Sequence, residues 1–177
     1  MTKIKGWRIN NILELTKSLS IAQNKKAEEV REMADNVYKD IINGQKDKLD
    51  EFYNLIYETI LLEERSNATN NINKFLKNHY QTDEFKNEES YDEEPAKRTL
   101  GILIESSFTA ERQKKLSNDL LNKYTEVQNI KENPEEFANE LINNAVEKAK
   151  EKVSMELFNY SKEHLGFSNN IFLNKKV

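Results

Sequence analysis

The stretch from Asn133 to Leu157, NPEEFANELINNAVEKAKEKVSMEL, decides the fold class. Asn133 is a natural helix cap, Pro134 falls where a helix needs no N–H, and Glu136 has the spacing of a capping box. Beyond it Phe137, Leu141, Ile142, Ala145, Val146, Ala149, Val153 and Leu157 recur every three or four residues, or in adjacent pairs. That period puts them on one stripe of an α-helix, predicted to run for roughly 30 residues. Ala145 and Ala149 are small, so a neighbouring helix can approach closely there.

The same period recurs upstream. Ala27, Val30, Ala34, Val37 and Ile41 form a stripe that Gly44 stops. Leu49, Phe52, Tyr53, Ile56 and Ile60 form a second, running to about Arg65, with Ser66-Asn67 expected to break and cap it. Ile72, Phe75, Leu76 and Tyr80 make a shorter segment. Ile9, Ile12, Leu13 and Leu15 predict a short first helix, with Ser18 or Ser20 near the next cap. Leu100 to Ile104 is apolar enough for a strand, but no partner strand is visible, so it reads as a buried helix. Ser107 or Thr109 caps the following helix, whose stripe is Leu116, Leu120, Leu121, Tyr124, Val127 and Ile130. Leu165-Gly166-Phe167 has the form of a helix end, with Ser168 to Val177 a loosely attached tail. The expected fold is all-α, a helical bundle of about six or seven helices with a long C-terminal helix and an acidic internal loop.

Composition excludes several functions. The 177 residues contain no Cys, which removes disulfide scaffolds, zinc–thiolate sites and cysteine nucleophiles. No apolar run approaches the roughly 20 residues of a membrane span, and no signal peptide is recognisable. The expected location is cytoplasmic. His79 and His164 stand alone, with no Glu-x-x-His or His-Glu-x-x-His pattern around them. Glu28/Glu32, Glu136/Glu140 and Glu147/Glu151 read as surface acids. Glu29 and Glu32 match half of a magnesium motif of all-helical nucleotide pyrophosphohydrolases, but the second half is missing. No glycine-rich phosphate loop or nucleophile elbow is present. The expectation is a non-enzyme without cofactor or metal.

The formal charge of −4 argues against nucleic acid only until it is divided along the chain. Residues 81–95 carry Asp83, Glu84, Glu88, Glu89, Asp92, Glu93 and Glu94 against Lys86 alone. They read as an acidic linker between an N-terminal helical half, 1–80, and a C-terminal half, 96–177, which can also form one bundle. Each half has a net charge of +1. Lys3, Lys5 and Arg8 cluster beside Trp7; Lys25 and Lys26 lie on the first long helix; Arg112, Lys115 and Lys123 lie on the helix after the linker. The bland alternative is that these are solvated helix faces paired with acids one turn away. As phosphate contacts they would make binding steeply salt dependent, with Trp7 available for base stacking.

Asp40-Ile41-Ile42-Asn43-Gly44-Gln45-Lys46-Asp47 leads into Phe52-Tyr53, and Leu100-Gly101-Ile102-Leu103-Ile104 precedes Glu111-Arg112-Gln113. This order resembles the helical small subunit of type I CRISPR interference complexes, which also occurs as the C-terminal domain of their large subunits. The resemblance implies a non-catalytic, all-helical subunit that supports guide and target strands through a basic face, with RNA or single-stranded DNA and other subunits as partners. The competing expectation is a phage-type inhibitor or scaffold that grips a protein through apolar helix faces, or uses the acidic loop as a nucleic-acid mimic. Self-association is compatible with either, and no membrane partner is expected.

Overall fold

The computed structural model describes the backbone of residues 3–80, 90–128 and 130–160, and the side chains of 11–78, 98–127, 130–157 and 159. The chain is all-α. In order come β1 (Lys3–Lys5), α1 (Gly6–Ile42), a 3-10 turn (Lys46–Lys48), α2 (Leu49–Tyr80), β2 (Ser90–Asp92), α3 (Glu93–Ser106), α4 (Ala110–Lys123), α5 (Thr125–Gln128) and α6 (Pro134–Tyr160). The Leu165-Gly166-Phe167 helix end and the tail from Ser168 lie outside the described residues.

Among the described residues five helices reach 14 residues or more, fewer than the sequence predicts, because two expected breaks are absent. α1 runs through Ser18 and Ser20, and α2 runs through Ser66 and Asn67. Hydroxyls at and near the expected breaks bond within the helices or across to the neighbouring one. Ser20 donates to the Ser66 carbonyl at 3.2 Å, while the nearby Thr16 donates back to the Ile12 carbonyl at 3.0 Å and Thr69 to that of Arg65 at 3.0 Å. Ser66 donates to the Ser20 carbonyl at 2.8 Å, tying α2 to α1. A hydroxyl satisfied in this way leaves the helix free to continue. Packing supports the continuation, since Ala68 and Ile72, just past the expected break, are fully buried.

A further difference concerns the acidic stretch. Residues 90–92 form β2, which pairs antiparallel with β1 in the register Lys3↔Asp92, Ile4↔Tyr91 and Lys5↔Ser90. The backbone of Glu93 and Glu94 opens α3. The linker expected over 81–95 is therefore regular structure from 90 onward; Asp83, Glu84, Glu88 and Glu89 lie outside the described residues. Leu100 to Ile104 is helical, as expected. Only Leu100 and Ile104 are buried, however, and Ile102 is 66% exposed.

The residues divide into two compact units that do not follow chain order. One comprises Met1–Ala22, Arg65–Ser107 and Lys150–Val177. Its buried apolar residues include Ile12 and Leu13 of α1, Ile72 and Leu76 of α2, Leu100 and Ile104 of α3, and Val153 and Leu157 of α6. Asn73 of α2 donates to the Leu13 carbonyl at 2.7 Å, Lys150 of α6 pairs with Glu105 of α3 at 2.8 Å, and Arg65 pairs with Glu156.

The other unit comprises Gln23–Glu64 and Phe108–Ala149. Its core joins Ala34, Val37 and Ile41 of α1, Phe52, Ile56 and Ile60 of α2, Leu120 and Tyr124 at the end of α4, and Ile142, Ala145 and Val146 of α6. Rings lock it together: Tyr124 meets Phe52 at 4.9 Å and Tyr38 at 5.1 Å, both edge to face, the arrangement the ring quadrupole favours. Gly44, with φ +111°, ends α1. The Gly44 N–H bonds the Ile41 carbonyl and the Gln45 N–H bonds that of Asp40, the pair of bonds that closes a helix through a left-handed residue. Lys48 then reaches back to Asp40 at 2.8 Å. Thr109 caps α4 by accepting from the Arg112 N–H at 3.2 Å.

Candidate functional site

The unit built from Gln23–Glu64 and Phe108–Ala149 contains a cleft of about 580 Å³ between α1, α2 and α4. Its floor is apolar: Ile56 and Ile60 from α2, Leu116 and Leu120 from α4. The helical period delivers this floor, because these positions are four apart on each helix and face the same side. The rim is polar, formed by Arg31 of α1, Glu63 of α2, and Asp119, Asn122, Lys123 and Tyr124 from the α4 end. An apolar base with a few convergent polar groups is the usual form of a ligand or side-chain pocket.

The rim is internally organised. Arg31 donates from Nε and Nη2 to one oxygen of Glu63, Oε1, at 2.9 and 2.7 Å. Burial opposes the Arg31 charge, but Glu63 and then Tyr124 outweigh it and hold its pKa above the ordinary value. The Tyr124 hydroxyl donates to Asp35 Oδ1 at 2.7 Å. Burial, reinforced by Asp35, keeps that phenol protonated well beyond its usual range, with Arg31 opposing. Lys123 lies 3.5 Å from the same Asp35 oxygen and over the Tyr124 ring. Both cations of the rim are thus compensated. Glu63 Oε2 and the exposed Asp119 carboxylate have no hydrogen-bond partner among the described residues.

Of the residues proposed for phosphate contact, five have described side chains, and two of these five are engaged by acids. Lys25 and Lys26 are exposed on α1, and Lys115 is exposed on α4. Arg112 is engaged by Glu64, whose side chain is 1% exposed: Nε donates to both carboxylate oxygens and Nη2 to Oε1, at 2.7–3.1 Å. These bonds to Glu64 raise the Arg112 pKa against the opposing effect of burial. Lys123 belongs to the Asp35 pair. The side chains of Lys3, Lys5, Trp7, Arg8, Asp92, Glu93 and Glu94 lie outside those described, as do those of His79 and His164. Among the described residues no group of three or more His, Asp and Glu side chains could hold a metal ion, and no helix is long and apolar enough to cross a membrane.

The Glu64–Arg112 tie and the Arg31–Glu63 rim were not foreseen. A signal for the first was present. Phe52, Ile56, Ile60, Glu64, Ala68, Ile72 and Leu76 form a row of every fourth residue along α2, and all seven are buried. Glu64 is the one charged member, so it needs a counter-ion from a facing helix. Which arginine supplies it depends on the tertiary fold.

No protein-family model matches this chain, and no curated protein or solved structure matches it either. Fold and cleft together define an all-α protein with a polar-rimmed, apolar-floored groove among three of its helices.

Proposed function

We propose that this chain is a non-catalytic helical interaction protein of the cytoplasm, acting by docking a protein partner. One observation carries the proposal: Arg112 and Lys123, two of the cations expected to contact phosphate, are held by acids of their own unit, while that unit's cleft has an apolar floor and two carboxylates with oxygens to spare. A surface built for strands would leave its arginines open to phosphate. The scaffold or inhibitor expectation therefore comes first. A nucleic-acid-supporting role, as the CRISPR resemblance implies, is the second reading, favoured by the exposed Lys25, Lys26 and Lys115.

Fluorescence anisotropy with labelled single-stranded RNA and DNA separates the two. The first reading expects no salt-sensitive binding to the full chain. Binding that weakens steeply with salt, and is lost in a Lys25→Glu/Lys26→Glu/Lys115→Glu variant, would replace it with the second.

A further inference from the structure

We infer that the α1–α2–α4 cleft is a receptor for a lysine side chain presented by a partner protein, its methylene stem on the Ile56/Ile60/Leu116/Leu120 floor and its ammonium between Glu63 Oε2 and Asp119. This rests on the protein-partner reading and names the chemistry of its contact. The argument is one of charge complementarity. Arg31 uses Nε and Nη2 on Glu63 Oε1, and Lys123 faces Asp35, so neither offers a bare charge to an anion. Beyond these pairs the rim keeps free acceptor positions on two carboxylates, one from α2 and one from α4, and Asp119 is the rim charge left without a counter-ion among the described residues. An ammonium has three donors and no acceptor, which matches that capacity. A long aliphatic stem can cover an apolar floor while its charged head stays at the polar rim. A purely apolar occupant would leave Asp119 beside it without compensation, and an anionic one would meet both carboxylates directly.

The probe is n-hexylamine, a stem and ammonium without a peptide, titrated into the full chain by methyl and amide NMR, with n-hexanol and hexanoate as neutral and anionic controls. The expected result is saturable shifts at Ile56, Ile60, Leu116 and Leu120 for the amine, with hexanol and hexanoate each weaker by about tenfold or more, and weakening of the amine as salt rises. Asp119→Asn, which removes an exposed acceptor that has no partner among the described residues, should weaken the amine several-fold and leave hexanol unchanged. Hexanol or hexanoate binding as well as the amine, no shifts at these four residues, or an unaltered Asp119→Asn variant would each overturn the inference. The two proposals fail separately. A protein partner whose binding ignores Glu63→Gln and Asp119→Asn contradicts the cleft assignment and spares the function. Amine binding in a chain that supports nucleic acid does the reverse.

Discussion

Arg112 of α4 holds both carboxylate oxygens of Glu64 on α2 through three hydrogen bonds, and Glu64 lies on the row of α2 that is otherwise apolar. The two ends of this pair differ. Glu64 is 1% exposed, whereas Arg112 is 39% exposed and can turn to water if its partner is lost. Arg112→Ala leaves a buried carboxylate without compensation; Glu64→Gln leaves a neutral amide that still accepts from the guanidinium. We expect Arg112→Ala to cost about 2–4 kcal/mol, at or below the range for breaking a fully buried pair because one end is solvated, and Glu64→Gln clearly less. Urea unfolding of both variants checks the order. Equal costs would mean that the pair behaves as a surface bridge.

Alkaline pH should destabilise the fold through its buried phenols. Burial, then the nearby Asp50 charge, pushes Tyr53 up to about 12, and Tyr124 is raised further. A raised folded-state pKa means that the native chain keeps protons the unfolded chain has already released. The stabilisation is therefore complete below pH 10 and is lost as pH rises from about 10 towards 12. Denaturant midpoints measured from pH 8 to 11.5 should fall across that window. The absorbance of phenolate should show at least two tyrosines that ionise only on unfolding.

Gly44 sits at φ +111° with nothing within 4 Å of where a Cβ would lie. Gly44→Ala therefore meets no clash and changes the backbone energy alone. A cost of about 1 kcal/mol is expected, with Gly44→Asn less damaging because Asn tolerates positive φ. Thermal melts of the two variants give the comparison.

Ala145 and Ala149 of α6 are both fully buried. Enlarging Ala145 to Leu inserts three carbons into a packed core and is expected to cost about 1–3 kcal/mol or more, whereas Ala145→Gly should cost about 1 kcal/mol by helix propensity. Calorimetry on the pair distinguishes close helix packing from a loose site, where Leu would be neutral or stabilising.

These residues show how far the sequence carried. The α6 stripe, its Asn133-Pro134 start, the Gly44 stop and the Thr109 cap were legible because each depends on local backbone geometry. At the α6 start Asn133 reaches Glu136 side chain to side chain, at 2.8 Å, a variant of the expected box. The breaks at Ser18–Ser20 and Ser66–Asn67 were misread because a hydroxyl can cap a helix or bond inside one. The Ser66–Ser20 contact, 46 residues apart in the chain, decides which. The cleft was not legible at all. Its floor residues were recognised as core, but their incomplete closure and the pairing of Arg31 with Glu63 exist only once α1, α2 and α4 meet.

The central claim is that the chain docks a protein through this cleft and does not support nucleic acid. The most direct measurement is photo-crosslinking in cells from a benzophenone residue at Asn122, on the exposed rim, with the crosslinked species identified and its attachment site mapped by mass spectrometry. The expected result is one protein, attached next to a lysine, whose yield falls in Asp119→Asn and is unchanged in Lys25→Glu/Lys26→Glu/Lys115→Glu. Crosslinks to RNA or DNA that disappear in the triple lysine variant and persist in Asp119→Asn would contradict it.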